Sequence, residues 1–308
     1  YSKMPNHYSF SNLNLLSTNL PGNSIIDIRE GNNGKLYFGT NNGLGYADLD
    51  NSIPIFHTIE NQYIPRGRIR ATYIYNNIIA VSGEIDTTFT YNGMYDDTTT
   101  YTRTEQKGTG ISYSLDYGES WTFLQQPIDS IPMTGKYNQI NWGTQDSILV
   151  YAVTTEVNNI TYDIAINDDY IYTVSWAGGL RRYNYTSQNP KWEIIPLPMD
   201  NQGWLYCGEI NIENYQINPM DPINGGSHNH KGFSVSTFED TIWVGTAAGI
   251  NKGVINGDCI DWVSHFTSSW HNISGNWVIG FHHQFIENYT RLWAITWKVF
   301  NPDEYYAL

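Results

Sequence analysis

The chain of 308 residues carries 16 Lys and Arg against 30 Asp and Glu, so its formal net charge is −14. A charge of this sign repels a phosphate backbone and an anionic bilayer surface, which argues against nucleic-acid binding. Aromatic residues make up 15% of the chain and charged residues only 15%, against about 25% charged in typical soluble domains, and this favours half-buried β-sheets over a helical bundle.

The longest purely apolar run, Ile148–Val153, is far shorter than the roughly 20 residues that span a bilayer, so no membrane span is predicted. The chain begins at Tyr1 with no charged or strongly apolar leader, which indicates a processed or cut start. Cys207 and Cys259 are too few for a thiolate zinc site and lie in no C-x-x-C motif. We therefore expect two free thiols, with one disulfide as the alternative.

A five-residue motif recurs along the chain. It consists of an apolar residue, an apolar or aromatic residue, two unrestricted positions and a final Thr or Ser, and the copies lie at 36–40, 78–82, 171–175, 242–246 and 292–296. Extended segments rich in β-branched residues precede the copies, at 25–28, 69–75, 161–166, 233–238 and 277–283. Because turn residues join the two segments in most copies, each repeat is predicted to open with a β-hairpin.

Two further strands are predicted after most copies. Gly followed by Leu or Ile opens a third strand at Gly43, Gly110, Gly179 and Gly249, and fourth strands are expected at about 53–57, 121–124, 191–195 and 260–266. Four antiparallel strands per repeat are typical of a β-propeller blade. The sequence therefore predicts an all-β fold, a β-propeller of four-stranded antiparallel blades with about five blades visible.

The predicted blades lie at about 20–60, 66–126, 158–197, 231–267 and 275–308 within one domain covering 1–308. The fifth has only its first two strands before Leu308, and His7–Leu13 is interpreted as a lone outer strand. We therefore expect an incomplete ring, a fragment of a larger propeller.

The turn between the third and fourth strands of the second blade carries a further motif. The pattern S-x-D-x-G-x-x-W, known as an Asp box, is formed by Ser114, Asp116, Gly118 and Trp121. Its role is structural, since the Asp carboxylate can accept N–H groups within the turn, Gly can adopt a positive φ, and Trp packs over the hairpin. Trp192 and Trp262 occupy the matching places in turns that lack the Asp and Gly, as in degenerate copies.

The segment 36–44, in which the motif is followed by Gly-Leu, resembles the propeller repeat of sensor domains in bacterial two-component regulators. The Asp box, with segments 242–252 and 273–297, is similar to secreted bacterial Asp-box propellers of the sialidase-like, or BNR, type. The resemblance covers most of residues 20–300 and implies a propeller fold. It implies no particular activity, because Asp boxes occur in glycosidases, sorting receptors and plain binding propellers alike.

Three long segments interrupt the repeat, at 84–109, 125–159 and 197–232. All three are connections that lie on one face of a propeller, and long loops on a rigid scaffold are where recognition usually occurs. The segment 125–159 alternatively contains a two-stranded reduced blade, with strands at 137–142 and 150–154. Aromatic rings beside carboxylates suit a sugar or an extended peptide, although such residues also anchor loops. The candidate binding residues are Trp142, Trp204, Tyr95, Glu84, Asp86, Arg70 and Trp176.

His228 and His230 would share one face of a strand, and with Asp221 nearby they form a conceivable metal site. Short His pairs are usually solvated loop residues, so no metal and no cofactor are predicted.

A sialidase-type hydrolase requires an arginine cluster for the substrate carboxylate. Arg66, Arg68 and Arg70 would share a face if their strand is regular, but the remaining arginines are scattered. No nucleophile elbow, P-loop or dinucleotide motif occurs, so a binding protein is favoured over an enzyme.

The sequence thus favours a secreted or cell-envelope bacterial binding propeller that recognises a glycan, peptide or protein ligand on the decorated face. The alternatives are an Asp-box glycoside hydrolase and the periplasmic sensor propeller of a two-component regulator, which would need a transmembrane helix beyond Leu308.

Overall fold

The computed structural model describes residues 19–48, 55–92, 100–130, 135–157, 159–211, 213–271 and 273–297. The first blade contains β1 (Ile25–Glu30), β2 (Lys35–Thr40), β3 (Gly43–Asp48) and β4 (Ile55–Thr58), and the second β5 (Arg68–Tyr75), β6 (Ile78–Asn92), β7 (Thr100–Ser114) and β8 (Thr122–Leu124). Two strands outside the blades follow, β9 (Tyr137–Trp142) and β10 (Gln145–Tyr151). The third blade contains β11 (Asp163–Ile166), β12 (Tyr170–Ser175), β13 (Gly179–Asn184) and β14 (Trp192–Ile195).

The short strand β15 (Gln216–Ile217) precedes the fourth blade, which contains β16 (Gly232–Phe238), β17 (Thr241–Thr246), β18 (Gly249–Asn256) and β19 (Cys259–Phe266). A four-residue helix, α1 (Ser268–His271), leads to the hairpin of β20 (Trp277–Ile286) and β21 (Tyr289–Trp297), which starts the fifth blade. Four sheets have four antiparallel strands in sequence order. No helix in the described ranges is long and apolar enough to cross a membrane.

The recurring motif forms the second strand of every blade, and in three of the blades its final Thr or Ser stabilises the turn that follows. The Thr40 and Thr246 hydroxyls accept the N–H groups of Asn42 and Ala248, at 3.2 and 3.1 Å, and donate to the carbonyl oxygens of the glycines that open the third strands. Ser175 accepts the N–H of Gly178 in the same way. A short hydroxyl side chain can replace a backbone group in such a turn, which explains its recurrence in the motif.

The first strands of the blades contact one another in the order β1, β5, β11, β16 and β20, which is the arrangement of a propeller around a central channel. Side chains connect neighbouring inner strands. Asp27 accepts the backbone N–H of Thr72 at 2.8 Å, and Asp163 accepts that of Val235 at 3.0 Å. The hydrophobic core lies between blades, with Ile164, Ile166 and Ile171 packed against Ile111 and other apolar residues of the second blade. Within the described residues the fold is an open β-propeller, in which β20 does not pack against β1 in the way that the other inner strands pack against one another.

The insertion at 84–109 is a continuation of the blade rather than a loop. Strands β6 and β7 stay paired from Ile79 and Ser114 out to Asn92 and Thr100. The expected strand at His7–Leu13 and anything after Trp297 lie outside the described residues.

The other two insertions combine into one small sheet. Strands β9 and β10 form an antiparallel hairpin from the second insertion, and β15 of the third insertion adds in parallel at Leu149 and Gln216. The first strand expected for a reduced blade is present, and the second lies at Gln145–Tyr151 rather than at 150–154. The pair does not form a blade, because β5 contacts β11 directly in the ring.

The third insertion also crosses the outer edge of the fourth blade. Leu205 and Trp262 exchange two backbone hydrogen bonds of 2.9 and 3.0 Å, so that the insertion continues the sheet beyond β19. A disulfide joins Cys207 to Cys259, and the expectation of free thiols is wrong. Sequence reasoning could not place the two cysteines together, because only this edge pairing brings residues 52 positions apart into contact.

Candidate functional site

The propeller has two faces, of which one carries the starts of the inner strands, the ends of the second strands and all three insertions. We call it the insertion face. The assignment follows from the antiparallel order of each blade, since the connection from a fourth strand to the next first strand emerges beside the turn between the second and third strands. The insertions do not remain wholly on this face. Gly143, in the turn after β9, lies against the disulfide between Cys207 and Cys259. Cys259 follows Asp258 in the turn between β18 and β19, which belongs to the opposite face.

Four inner strands contain one extra residue near their start on the insertion face. The register shifts leave Ile26, Arg70, Phe233 and Ile279 without a direct partner on the neighbouring second strand. A β-bulge turns its extra side chain away from the regular alternation of the strand. Here three of these four side chains line the mouth of the channel.

The bulge residues belong to an aromatic cup with a cavity volume of about 380 Å³. Its lining residues are Arg70, Tyr162, Trp176, Phe233, Trp277, Ile279 and Trp297. Phe233 is central, because its ring lies 5.1 Å from Trp277, 5.5 Å from Trp176 and 6.0 Å from Tyr162. Trp277 stands edge-on to Trp176 at 5.6 Å and to Trp297 at 6.4 Å, so the rings form walls around a concave space.

Two cations border the cup. The Arg70 guanidinium lies 5.4 Å from the centre of the Tyr162 ring, and the Lys231 amine lies 4.9 Å from the centre of the Trp176 ring. Lys231 also donates to Asp221 Oδ1 at 2.7 Å. Burial raises the pKa of the Tyr162 hydroxyl, while Arg70 opposes that shift. Because Arg70 forms no ion pair within the described residues, its charge is available to a ligand.

The predicted acids Glu84 and Asp86 are both bound by Arg68. Arg68 Nε contacts Glu84 Oε1 at 2.9 Å, and the two Nη atoms contact Asp86 at 2.8 and 2.7 Å. These hydrogen bonds from Arg68 lower the pKa of the Asp86 carboxyl. Glu84 is buried, and its second carboxylate oxygen has no hydrogen-bond partner within the described residues.

The bulge also separates the arginines that a regular strand would align. Arg66 precedes β5 and is exposed, Arg68 pairs with acids, and Arg70 is the bulge residue that turns into the cup. The expectation of one shared face therefore fails, and no three-arginine cluster for a substrate carboxylate forms from these residues.

The structure brings together Arg70 and Trp176 from the predicted site, whereas Glu84 and Asp86 bind Arg68 and do not line the cup. Trp142 lies elsewhere and is only 4% exposed, with the Arg182 guanidinium 4.9 Å from its ring, so its role is packing. Trp204 is 62% exposed, but it lies on the segment that crosses the outer edge of the fourth blade. Tyr95 falls outside the described residues.

Sequence reasoning missed Tyr162, Phe233, Trp277 and Trp297. A signal was present, because Tyr162, Phe233 and Trp277 are aromatic residues at or just before the start of successive inner strands.

Larger clefts lie outside the channel mouth. One of about 880 Å³ follows the outer edge of the second blade near Gln126, and one of about 640 Å³ lies beside Arg182 under the small insertion sheet. Each of these two clefts has three aromatic residues spread among charged and polar ones, whereas the smaller cup concentrates five aromatic rings around one opening. The cup is therefore the better candidate site.

The turn from Ser114 to Trp121 is closed by its own side chains. Asp116 accepts the Ser114 hydroxyl at 2.7 Å and both the N–H and the hydroxyl of Ser120, and these bonds lower the pKa of its carboxyl. Gly118 has a φ of 92°, and the Trp121 indole donates to its carbonyl at 3.0 Å. These hydrogen bonds to Asp116 all come from residues of the same turn, which supports a structural role for the Asp box.

The segment His228–His230 is a 3-10 helix and not a strand. His230 is buried, its Nδ1 accepts the N–H of Asn218 at 3.0 Å, and its Nε2 lies 3.1 Å from the Leu197 carbonyl. Burial lowers the pKa of His230. The His pair therefore does not converge on one face as expected, and no group of three or more metal-ligating side chains occurs in the described ranges.

Comparison with known proteins gives similarity of fold only. No protein family and no curated protein matches the sequence. The chain is similar to the extracellular domain of a putative hybrid two-component system of B. thetaiotaomicron, with 14% identity, 90% of this chain and 39% of that chain covered, and a TM-score of 0.29. This chain thus spans less than half the length of that protein.

The chain is also similar to YjhT, with 9% identity, 91% of this chain and 99% of that chain covered, and a TM-score of 0.27. A third similar structure is the Trypanosoma rangeli sialidase, with 7% identity, 79% of this chain and 54% of that chain covered, and a TM-score of 0.21. Such low values carry no argument about function. The class of protein, an open β-propeller, rests on the four-stranded sheets and on the contacts between inner strands.

Proposed function

We propose that the protein is an extracytoplasmic binding propeller that holds a carbohydrate in the aromatic cup. The observation that carries the proposal is the convergence of five aromatic rings and Arg70 on one cavity at the channel mouth. Aromatic rings present flat apolar faces to a sugar ring, and a few polar groups at the border orient the ligand.

The construction of the cup favours a ligand site over simple packing. Its side chains come from the second to the fifth blade, and three of them come from β-bulges, which are frequent beside functional sites because they re-aim a side chain. Trp297 and Ile279 are 60% and 44% exposed. Large apolar groups exposed together in a concave site favour ligand binding.

An extracytoplasmic location is supported by the disulfide between Cys207 and Cys259, because disulfides persist mainly in oxidising compartments. A hydrolase is less well supported, since the arginine set that a sialidase needs is divided between the Arg68 ion pairs and the cup.

The test is binding of the chain to an array of neutral and acidic glycans, followed by titration calorimetry with the glycans that bind. Trp176→Ala and Trp277→Ala should each weaken binding about tenfold, because an aromatic contact contributes on the order of 1 kcal/mol beyond its buried area. Arg70→Gln removes the cation without removing an ion pair and should weaken binding of acidic glycans most.

Trp204→Ala is the control, since it also removes a solvent-accessible indole but lies outside the cup. Each variant is checked by circular dichroism for an unchanged fold. Binding that survives all three cup variants, or binding only to peptides and to no glycan, would refute the proposal.

A further inference from the structure

A second cleft lies on the insertion face, beside α1. It has a volume of about 720 Å³, and it is enclosed by the third insertion, by the turn between β17 and β18, and by the segment from β19 to β20. The residues that matter for its chemistry are Asp200, Asp221, Ile223, His228, Thr267 and Trp270.

Trp270 provides an aromatic platform in this cleft. It belongs to the four-residue helix α1 and is 65% exposed, and its ring contacts no other ring in the described part of the chain. Ile223, on the opposite insertion, is also highly exposed. Two large apolar side chains that border one cleft and remain open to solvent offer a surface on which the face of a sugar ring can stack.

The polar groups of the cleft differ in how fully they are engaged. Asp200 is satisfied, because its oxygens accept the Ser227 hydroxyl and the N–H groups of His228 and Asn229 at 2.7 to 2.9 Å. Asp221 is 61% exposed, and only its Oδ1 is engaged, by Lys231 at 2.7 Å and by His228 at 3.2 Å. Its Oδ2 makes no hydrogen bond within the described residues and can accept one from a ligand hydroxyl.

Thr267 adds a second unsatisfied group. It lines the cleft, is only 8% exposed, and its hydroxyl has no hydrogen-bond partner in the described ranges. Most buried polar atoms in proteins have a partner, which a bound ligand or a water can supply. The cleft therefore combines an aromatic platform with free hydrogen-bonding groups, a pairing that suits a polyhydroxylated ligand.

Lys231 connects this cleft to the aromatic cup. Its amine lies 4.9 Å from the Trp176 ring, which is a wall of the cup, and 2.7 Å from Asp221 Oδ1, which borders the cleft. Lys231 is itself buried, and through these two contacts the Lys231–Asp221 pair joins a wall of the cup to the border of the cleft.

We propose that the cleft at Trp270 is a second sugar subsite, and that the ligand is an oligosaccharide that extends from the cup across the Lys231–Asp221 pair to Trp270. The proposal deepens the function proposed above and rests on it. It predicts that affinity depends on chain length, because short ligands occupy only the cup and longer ones also reach Trp270.

The test is calorimetric titration with ladders of cello-, xylo-, manno- and chito-oligosaccharides of one to six residues, together with the size series of any glycan that binds on the array. Wild-type affinity should rise about tenfold or more between the short and the long members of a series that binds. Trp270→Ala should abolish this gain and leave the affinity for the shortest binding member unchanged, and Trp270→Phe should retain part of the gain.

Trp204→Ala, at almost the same exposure, is the matched control and should behave as wild type. The second subsite would be overturned by an affinity that does not depend on ligand length, or by an increase of affinity with length that persists in Trp270→Ala. In either case, loss of binding in the cup variants would still support the cup as the first site. If no glycan of the array or the ladders binds, both proposals are refuted.

Discussion

The disulfide between Cys207 and Cys259 has a calculable contribution to stability. It joins residues 52 positions apart and fixes the insertion that crosses the outer edge of the fourth blade. A covalent link across a loop of this length lowers the entropy of the unfolded chain, and the loop-closure relation gives about 4 kcal/mol at 25 °C. The double variant Cys207→Ser, Cys259→Ser should therefore unfold at a markedly lower urea concentration.

The assay is urea unfolding followed by tryptophan fluorescence, with thiols titrated before and after denaturation. Wild type should have no reactive thiol, and adding a reductant should lower its midpoint to that of the double variant. Reductant added to the double variant is the control and should change nothing. Hydrogen exchange provides a local measure, because the amides of Leu205 and Trp262 should lose protection first.

Two results would refute this reasoning. One is a stability difference below about 1 kcal/mol between wild type and double variant, which would mean that the crossing segment is held by its contacts alone. The other is two reactive thiols in the native, unreduced protein.

Three further outcomes follow from the structure. Burial raises the pKa of Asp163 from 3.8 to about 6, so the folded state binds the proton more tightly than the unfolded state, and stability falls as the pH rises from about 4 to 6. Relative to Asp163→Asn, the wild type should therefore lose about 1 kcal/mol of unfolding free energy between pH 5 and pH 7 in urea titrations. An equal loss in both proteins would contradict this expectation. Asp116→Ala removes the acceptor of three hydrogen bonds in its turn and should cost about 1 kcal/mol in thermal or urea unfolding, whereas Glu119→Ala in the same turn should cost almost nothing. Gly245→Ala would place a Cβ 2.4 Å from a backbone carbonyl of the next blade and should destabilise the protein by about 2 kcal/mol or more, whereas Gly203→Ala enters open space and should be neutral in the same assay.

The blades could be predicted from the sequence because their determinants are local. The alternation of each strand, the glycine that opens a third strand and the Thr or Ser that closes a turn all act within a few residues. Thr40 illustrates this, because its hydroxyl bonds only to the turn that follows it. A determinant of this kind repeats with every blade and is visible as a period.

The insertions could not be predicted in the same way, because their partners are distant and have no period. The parallel pairing of Leu149 with Gln216 joins two separate insertions, and the pairing of Leu205 with Trp262 joins an insertion to a blade edge. The disulfide depends on that second pairing. For the same reason Trp142 was predicted as an exposed ligand contact, whereas the sheet of β9, β10 and β15 buries it against Arg182.

The candidate site was predicted in part. Arg70 and Trp176 were predicted, and both line the cup, but the site was expected on long loops, whereas most of it is built from the inner strands. Arg70 was expected in line with its neighbours because alternation was assumed to continue through β5. A bulge is a single extra residue, and no feature of this sequence distinguishes it from regular alternation.

The bulges separate two tasks that neighbouring residues of an inner strand would otherwise share. The residue next to the bulge holds the ring together: Asp27 accepts an N–H from the next blade, and Ser234 donates its hydroxyl to the Val278 carbonyl at 2.8 Å. In the part of the chain that the structure describes, the bulge residues Arg70 and Phe233 make no such hydrogen bond, and both point into the channel mouth. Because a substitution at Arg70 or Phe233 changes the cup and removes ring contacts but no hydrogen bond between blades, we expect it to cost less stability than a substitution of Asp27 or Ser234, which would remove such a hydrogen bond.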